Sequence, residues 1–176
     1  MIAPDLLNRI RAVRVAVFDV DGIMTDNGLY RADDGSELKR FSSRDGLGLR
    51  LLRDNGVITA IITGRESRLV AHRALELGVD HLYQGRRNKR PALDELCQAL
   101  SVTYNEVAYM GDDLIDLPVL TRVGLALTVR DADPEVLNRA HWVARRPAGN
   151  GAVREACELI LRGQDKWEGI LADFLA

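Results

Sequence analysis

This sequence has little that would suit a membrane, a disulfide framework or a nucleic acid. It contains two cysteines, Cys97 and Cys157. They lack metal-ligand spacing and each sits in a helix-like pattern, so they read as buried thiols of a reducing compartment. The three histidines, His72, His81 and His141, are scattered, without the spacing of a zinc site, and read as structural. Lys and Arg number 24 against 26 Asp and Glu, a net charge of -2, so the basic excess of a nucleic-acid binder is missing. The one basic run, Arg86, Arg87, Lys89 and Arg90, has no flanking aromatic platform; most such runs are solvated surface, and no nucleic-acid patch is expected from this one. No stretch approaches the roughly 18 apolar residues of a membrane span. Arg9, Arg11 and Arg14 interrupt every apolar run before Val15, which leaves no secretory signal pattern. Internal repeats and low-complexity linkers are absent as well. These absences predict a cytoplasmic protein with neither a membrane nor a nucleic acid as partner.

What is present fits one domain spanning 1–176. The chain has 176 residues, 47% of them apolar and 28% charged, enough for one sizeable core. Strand-like runs cover Val13 to Phe18, Val57 to Ile62, His81 to Tyr83, Val107 to Met110 and Leu125 to Val129. Helical patterns run over Leu47 to Asn55, Ser67 to Leu77, Pro91 to Leu100 and Leu114 to Val123. Gly56, Gly78 and Gly124 follow three of these, where a C-terminal cap with positive φ is expected. The alternation predicts an α/β fold: a parallel sheet with right-handed crossovers and helices on both faces. In such folds the ligand crevice lies beyond the carboxyl ends of the strands. Asp19, Thr63 and Asp112 each fall where a strand has just ended.

Residues 24–43 break the alternation. Leu29-Tyr30-Arg31 and Leu38-Lys39-Arg40-Phe41 flank Asp33-Asp34-Gly35-Ser36, a hairpin signal. This flap would project from the same edge of the sheet.

The segment Asp19-Val20-Asp21-Gly22 places two carboxylates two residues apart after a buried strand. Their repulsion calls for a cation, and magnesium takes hard oxygen ligands of this kind. Asp112-Asp113, after another strand, would supply more. An isolated pair could equally be a turn next to Gly22. The conjunction with Thr63 and Lys89 points instead to phosphoryl transfer, where catalysis is mostly positioning and electrostatics. Asp19 can attack, Thr63 can donate a hydroxyl hydrogen bond, and Lys89 brings fixed positive charge. Asp21 can protonate the leaving oxygen and then deprotonate water.

Asp19-Val20-Asp21-Gly22, Thr63-Gly64-Arg65, Lys89 and Gly111-Asp112-Asp113-Leu114-Ile115-Asp116 together resemble the four motifs of the haloacid dehalogenase (HAD) superfamily, in order. The resemblance implies a Rossmann-like HAD fold, Asp19 as nucleophile and Asp21 as acid/base. It also implies magnesium on the Asp19 and Asp112 carboxylates and the Asp21 carbonyl, with Asp113 and Asp116 behind these ligands. For Asp116 a solvated helix position is an equal alternative. Arg44-Asp45-Gly46, Leu82-Tyr83-Gln84-Gly85, Asn88-Lys89 and Gly151-Ala152-Val153-Arg154-Glu155 further resemble phosphatases of 3-deoxy-D-manno-octulosonate 8-phosphate (KDO 8-phosphate), over about Arg14 to Arg162. That family acts in lipopolysaccharide sugar synthesis. The resemblance implies substrate contacts from Ser42, Ser43, Arg44, Asp45, Gly46, Arg50, Arg65 and Arg73, beside Asp21 and Lys89. Arginine suits a substrate with both a carboxylate and a phosphate, although Arg50 and Arg73, lying in helices, would by default be solvated. Arg86-Arg87 is more charged than the family pattern.

Between Asp21 and Leu47 there are only about two dozen residues, well below a domain. No cap domain is therefore expected. The family resemblance implies a homotetramer in which hairpins associate and a neighbouring subunit covers the site. At the C-terminus, 164–176, Trp167, Ile170, Leu171 and Phe174 form a helical stripe, read as a packing helix. Two alternatives stand beside the phosphatase reading. One is a related enzyme acting on a nine-carbon sialic-type acid phosphate; the other is a catalytically silent scaffold, which would have no need of the paired carboxylates.

Overall fold

The computed structural model describes residues 2–176. In chain order its elements are α1 (Pro4–Ala12), β1 (Val15–Phe18), β2 (Tyr30–Arg31), β3 (Glu37–Leu38), α2 (Ser43–Asp54), β4 (Ile58–Ile62), α3 (Arg68–Leu77) and β5 (His81–Tyr83). Then come α4 (Arg90–Leu100), β6 (Val107–Met110), α5 (Leu117–Leu120), β7 (Leu125–Val129), α6 (Pro134–Leu137), β8 (Trp142–Ala144), α7 (Ala152–Gly163) and α8 (Trp167–Leu175). Two 3₁₀ turns, Tyr104–Glu106 and Leu114–Asp116, precede β6 and α5.

Six strands form one parallel sheet in the order β5-β4-β1-β6-β7-β8. All four residues of β1 and of β6 are buried, the mark of strands covered on both faces. Phe18 pairs with Ile61 on one side and Met110 on the other, so β1 is central and its end lies level with those of β4 and β6. The chain moves outward from β1 through β4 to β5, then returns to β6 and continues through β7 to β8. The direction of winding reverses between β1 and β6, and there the crevice of an open α/β sheet forms. On one face α7 packs against α1 and α2, and α3 against α2; α4 and α5 pack together elsewhere.

The α/β architecture agrees with the sequence reading, with several corrections. The sheet has a sixth strand, β8, and a helix, α1, precedes β1; neither is among the elements expected from the sequence. Val13 belongs to the end of α1, because its amide donates to the Ile10 carbonyl. The expected helix over Leu114 to Val123 is divided: a 3₁₀ turn capped by Asp113 gives way to the short α5, with Pro118 at its start. Gly78 does adopt positive φ, as does Gly56. Gly124 does not; a Cβ there would lie 2.1 Å from the Asn105 carbonyl oxygen, so glycine is required by close approach. The hairpin is present but minimal, two residues per strand, with Gly35 at φ 83° in its turn. In the tail, Trp167 and Ile170 are buried, with Arg154 and Arg162 stacked on the Trp167 ring, while Leu171 and Phe174 stay exposed.

Candidate active site

The Asp19 amide donates to the Met110 carbonyl (2.9 Å), extending the β1–β6 ladder one residue past the strand. This holds the Asp19 carboxylate beside the loop that starts at Gly111. The turn that follows is wound tightly, the Ile23, Met24 and Thr25 amides all donating to the Val20 carbonyl. Gly22 sits at its apex with φ +89°, and a Cβ there would lie 2.0 Å from Asp112 Oδ2. Only glycine lets the two aspartate loops approach so closely.

Lys89, fully buried just before α4, donates to Asp19 Oδ1 at 2.5 Å and to Asp116 Oδ1 at 2.6 Å. Asp116 is fully buried too, which overturns the alternative of a solvated helix residue. Its Oδ1 also accepts the Tyr109 hydroxyl (2.6 Å), and its Oδ2 accepts the amides of Asp112 and Asp113 (2.9 and 3.1 Å). Every lone-pair direction of that carboxylate is therefore engaged, and it anchors Lys89 and the Asp112 loop together. Gly111 makes room for it, since a Cβ there would meet the Asp116 carboxyl carbon at 2.4 Å.

Asp19, Asp112 and Asp116 can bring one oxygen each within 4.8 Å of one another. Three carboxylates face one ammonium, so the pocket carries an excess of two negative charges when all are ionised. Burial pushes Asp19 up to about 7, with Asp116 adding to the rise and Lys89 opposing it. Burial, with Asp19 and Asp116 nearby, pushes Asp112 up to about 8. Burial works against the charge on Lys89, but Asp19 and Asp116 more than offset it and raise the ammonium above its usual value. Asp112 Oδ1 is buried with no hydrogen-bond partner. An unpartnered hard oxygen beside surplus negative charge fits a divalent cation such as magnesium. Because Asp116 is saturated, Asp19 and Asp112 are the carboxylates free to hold it.

The other expected residues divide into three groups. Thr63 is buried at the end of β4, its amide donating to the Tyr83 carbonyl. Asp21 is half-exposed and bound by the Lys39 ammonium from the hairpin. Arg65 is paired with Glu37 at 2.8 Å, and Ser67 Oγ donates to the same carboxylate (3.3 Å). A second cluster lies between α2 and α3, around a cleft of about 140 Å³ lined by Ser43, Gly46, Arg50 and Arg73. There Arg50 donates to the Glu76 carbonyl, and Arg73 to the Glu76 carboxylate (2.8 Å) and the Ser42 carbonyl. Arg73 is thus tied into helix packing and is not freely solvated. Among the described residues, no hydrogen bond or ion pair joins this cluster to Asp19, Lys89 or Asp116. Asp45 has yet another position: its buried carboxylate accepts the amides of Gly151 (3.1 Å) and Arg154 (2.8 Å), capping α7. Arg44 is exposed at the start of α2.

Sequence reasoning missed Lys39, Glu37 and Tyr109. A tyrosine within a wholly buried strand needs a partner for its hydroxyl, and that signal could have found Tyr109. Nothing in the pattern of the hairpin singles out Lys39.

The haloacid dehalogenase-like hydrolase family matches residues 81–155. The 3-deoxy-D-manno-octulosonate 8-phosphate phosphatase of Yersinia pestis is 48% identical over 168 residues, 96% of this chain and 90% of that protein. The chain belongs to this phosphatase family. A crystal structure of a probable phosphatase of the YrbI family from Pseudomonas syringae pv. phaseolica superposes with TM-score 0.97 at 48% identity, covering 99% of each chain. The Moraxella catarrhalis 3-deoxy-D-manno-octulosonate 8-phosphate phosphatase, solved with magnesium, phosphate and KDO, superposes with TM-score 0.95 at 38% identity, over 97% of this chain and 98% of that one. No helix among the described residues is long and apolar enough to cross a membrane.

Proposed function

We propose that this protein is a magnesium-dependent phosphatase hydrolysing KDO 8-phosphate to KDO and inorganic phosphate, in the cytoplasm, for lipopolysaccharide sugar synthesis. The observation that carries the reading is the buried Asp19–Lys89–Asp116 array beside the unpartnered Asp112 Oδ1, at the winding reversal of the sheet. A silent scaffold would have no reason to bury so much unbalanced charge.

Asp19 attacks phosphorus as the bond to the sugar C8 oxygen breaks, and Asp21 gives that oxygen its proton. Water then attacks the aspartyl phosphate, Asp21 takes the water's proton, and the Asp19–phosphorus bond breaks to restore the carboxylate. Lys89 neutralises Asp19 and keeps it aimed in line; Thr63 offers a hydroxyl to a phosphoryl oxygen. Magnesium, held by Asp19, Asp112 and the Asp21 carbonyl, supplies positive charge that lets a carboxylate approach a phosphate dianion. Arg65 already binds one carboxylate, Glu37, and is suited to bind that of the sugar acid. Ser42, Ser43, Arg44, Gly46, Arg50 and Arg73 stand as further candidate contacts; Asp45 supports them through its cap on α7.

We further propose a homotetramer in which a neighbouring subunit covers the site. Leu29, Tyr30 and Leu38 are exposed on a hairpin that pairs with no other strand among the described residues, and burying them between hairpins supports that assembly. The deciding experiment is steady-state kinetics on a panel of phosphorylated sugar acids. KDO 8-phosphate is expected to have the highest kcat/KM; a higher value for a nine-carbon sialic-type acid phosphate would transfer the assignment to that substrate.

A further inference from the structure

The hairpin supplies more than edges. Lys39, next to β3, carries its side chain inward until only 2% of it is exposed, and its ammonium binds the Asp21 carboxylate. Glu37, two residues earlier, lies on the same side of the strand. Its carboxylate stands 3.8 Å from the Lys39 ammonium and also takes Arg65 at 2.8 Å and Ser67 Oγ at 3.3 Å. A continuous ionic chain therefore runs from Asp21, after β1, through Lys39 and Glu37 on the hairpin, to Arg65 after β4. A lysine spends rotamer entropy and solvation to lie buried in this way. Nothing in the packing of so short a hairpin demands it, and an apolar residue would fill the space at lower cost.

We propose that Lys39 is a positioning residue for the acid/base: it fixes the Asp21 carboxylate in the orientation that reaches the leaving oxygen, and Glu37 braces it against Arg65. Asp21 extends from a turn and makes no other side-chain hydrogen bond or ion pair among the described residues, so without Lys39 its rotamer is unconstrained. Proton transfer needs hydrogen-bond reach, and small misplacements cost rate steeply. The chain of contacts also makes the orientation depend on the hairpin being seated.

The proposal rests on Asp21 as the acid, and its test separates the two ideas. The quantity to measure is kcat/KM, which reads steps up to departure of the leaving group, for KDO 8-phosphate and for p-nitrophenyl phosphate, whose leaving group needs no proton. Lys39→Met is expected to lower the first by about tenfold or more while changing the second by less than about threefold. Lys39→Arg is expected to recover part of the loss. Equal losses on both substrates, or no loss on either, would overturn the proposal, since a merely structural lysine or a phosphate-binding one moves both together. Asp21→Asn is run alongside. A differential for Asp21→Asn with none for Lys39→Met sinks the positioning role alone; no differential for Asp21→Asn sinks the acid reading beneath it. Should Lys39→Met fail to fold, Glu37→Gln takes its place, with a smaller shift of the same ratio expected.

Discussion

The carboxylate–lysine array and the hairpin lie at the same edge of the sheet, yet they are held by opposite means. Asp19, Lys89, Asp116 and Tyr109 are buried, linked by hydrogen bonds through Lys89 and Asp116, and carried by β6, the end of β1, the 3₁₀ turn after β6 and the start of α4. The hairpin has two-residue strands and exposes Leu38 at 64% of its surface; its inward anchors are ionic. One region is preorganised by packing before any ligand arrives; the other has to be seated.

That contrast can be broken most severely at Asp19. Asp19→Asn keeps the shape but removes the nucleophile, and turnover is expected to fall by about four orders of magnitude or more, with the melting temperature kept or raised. A phosphate-release assay with calorimetry on the same sample checks both.

Asp116 tests whether the packed region is a unit. Asp116→Ala leaves Tyr109 and two amides without partners and Lys89 with Asp19 alone, at a cost of about 3–5 kcal/mol. Activity is expected to fall as well, although Asp116 touches no substrate. Urea unfolding measures the first and kcat the second; a stable, fully active Asp116→Ala protein would contradict the anchoring role.

The metal sharpens the comparison through pH. With Asp19 raised to about 7 and Asp112 to about 8, the metal-free folded state binds more protons than the unfolded chain between the ordinary carboxylate range and those values. Its stability therefore falls as pH rises through that window. A cation binds the deprotonated carboxylates and displaces those protons. The gain in melting temperature on adding magnesium should be greater at about pH 8 than at about pH 6. A gain independent of pH would remove Asp19 and Asp112 as ligands.

The smallest effect on the fold is expected from the hairpin. Leu29→Asp with Leu38→Asp should leave chain stability within about 0.5 kcal/mol, because both side chains are exposed. The mass in solution should drop and kcat/KM for KDO 8-phosphate should fall with it. Light scattering and kinetics on the same sample would show a fully active, still assembled double variant if the hairpin has no such role.

Much of this was legible in the sequence, and the limits have physical causes. Buried parallel strands are continuous apolar runs, so Val107–Met110 and Leu125–Val129 could be bounded from composition alone. Asp19, Thr63 and Asp112 announce themselves because they are polar residues placed where such runs end, whereas Lys89, in a basic run before α4, stands out only through the family motif. Trp142–Ala144, on the sheet edge and half-exposed, has no such contrast. Asp45 shows the converse difficulty: a carboxylate in a signature segment reads as a ligand until the fold brings α7 to it. Lys39 and Asp116 could not be ranked by pattern, because what distinguishes them from solvated charges is burial, and burial is decided by partners far along the chain.

One consequence concerns time. The strand at the centre of the sheet, Val15–Phe18, is the first strand to be synthesised, but one of its two neighbours comes at Val107–Met110. The Lys89 that neutralises Asp19 arrives 70 residues after it, and the Gly151 amide that satisfies Asp45 arrives 106 residues after that carboxylate. A chain emerging in order from the ribosome therefore holds its most apolar strand open along one edge until Met110 is made, and Asp19 uncompensated until Lys89 is. Long-range pairing of this sort folds slowly and exposes sticky edges meanwhile. The carboxylate–lysine array closes once Asp116 has been made, whereas the α7 cap on Asp45 forms only when the C-terminal part of the chain has docked.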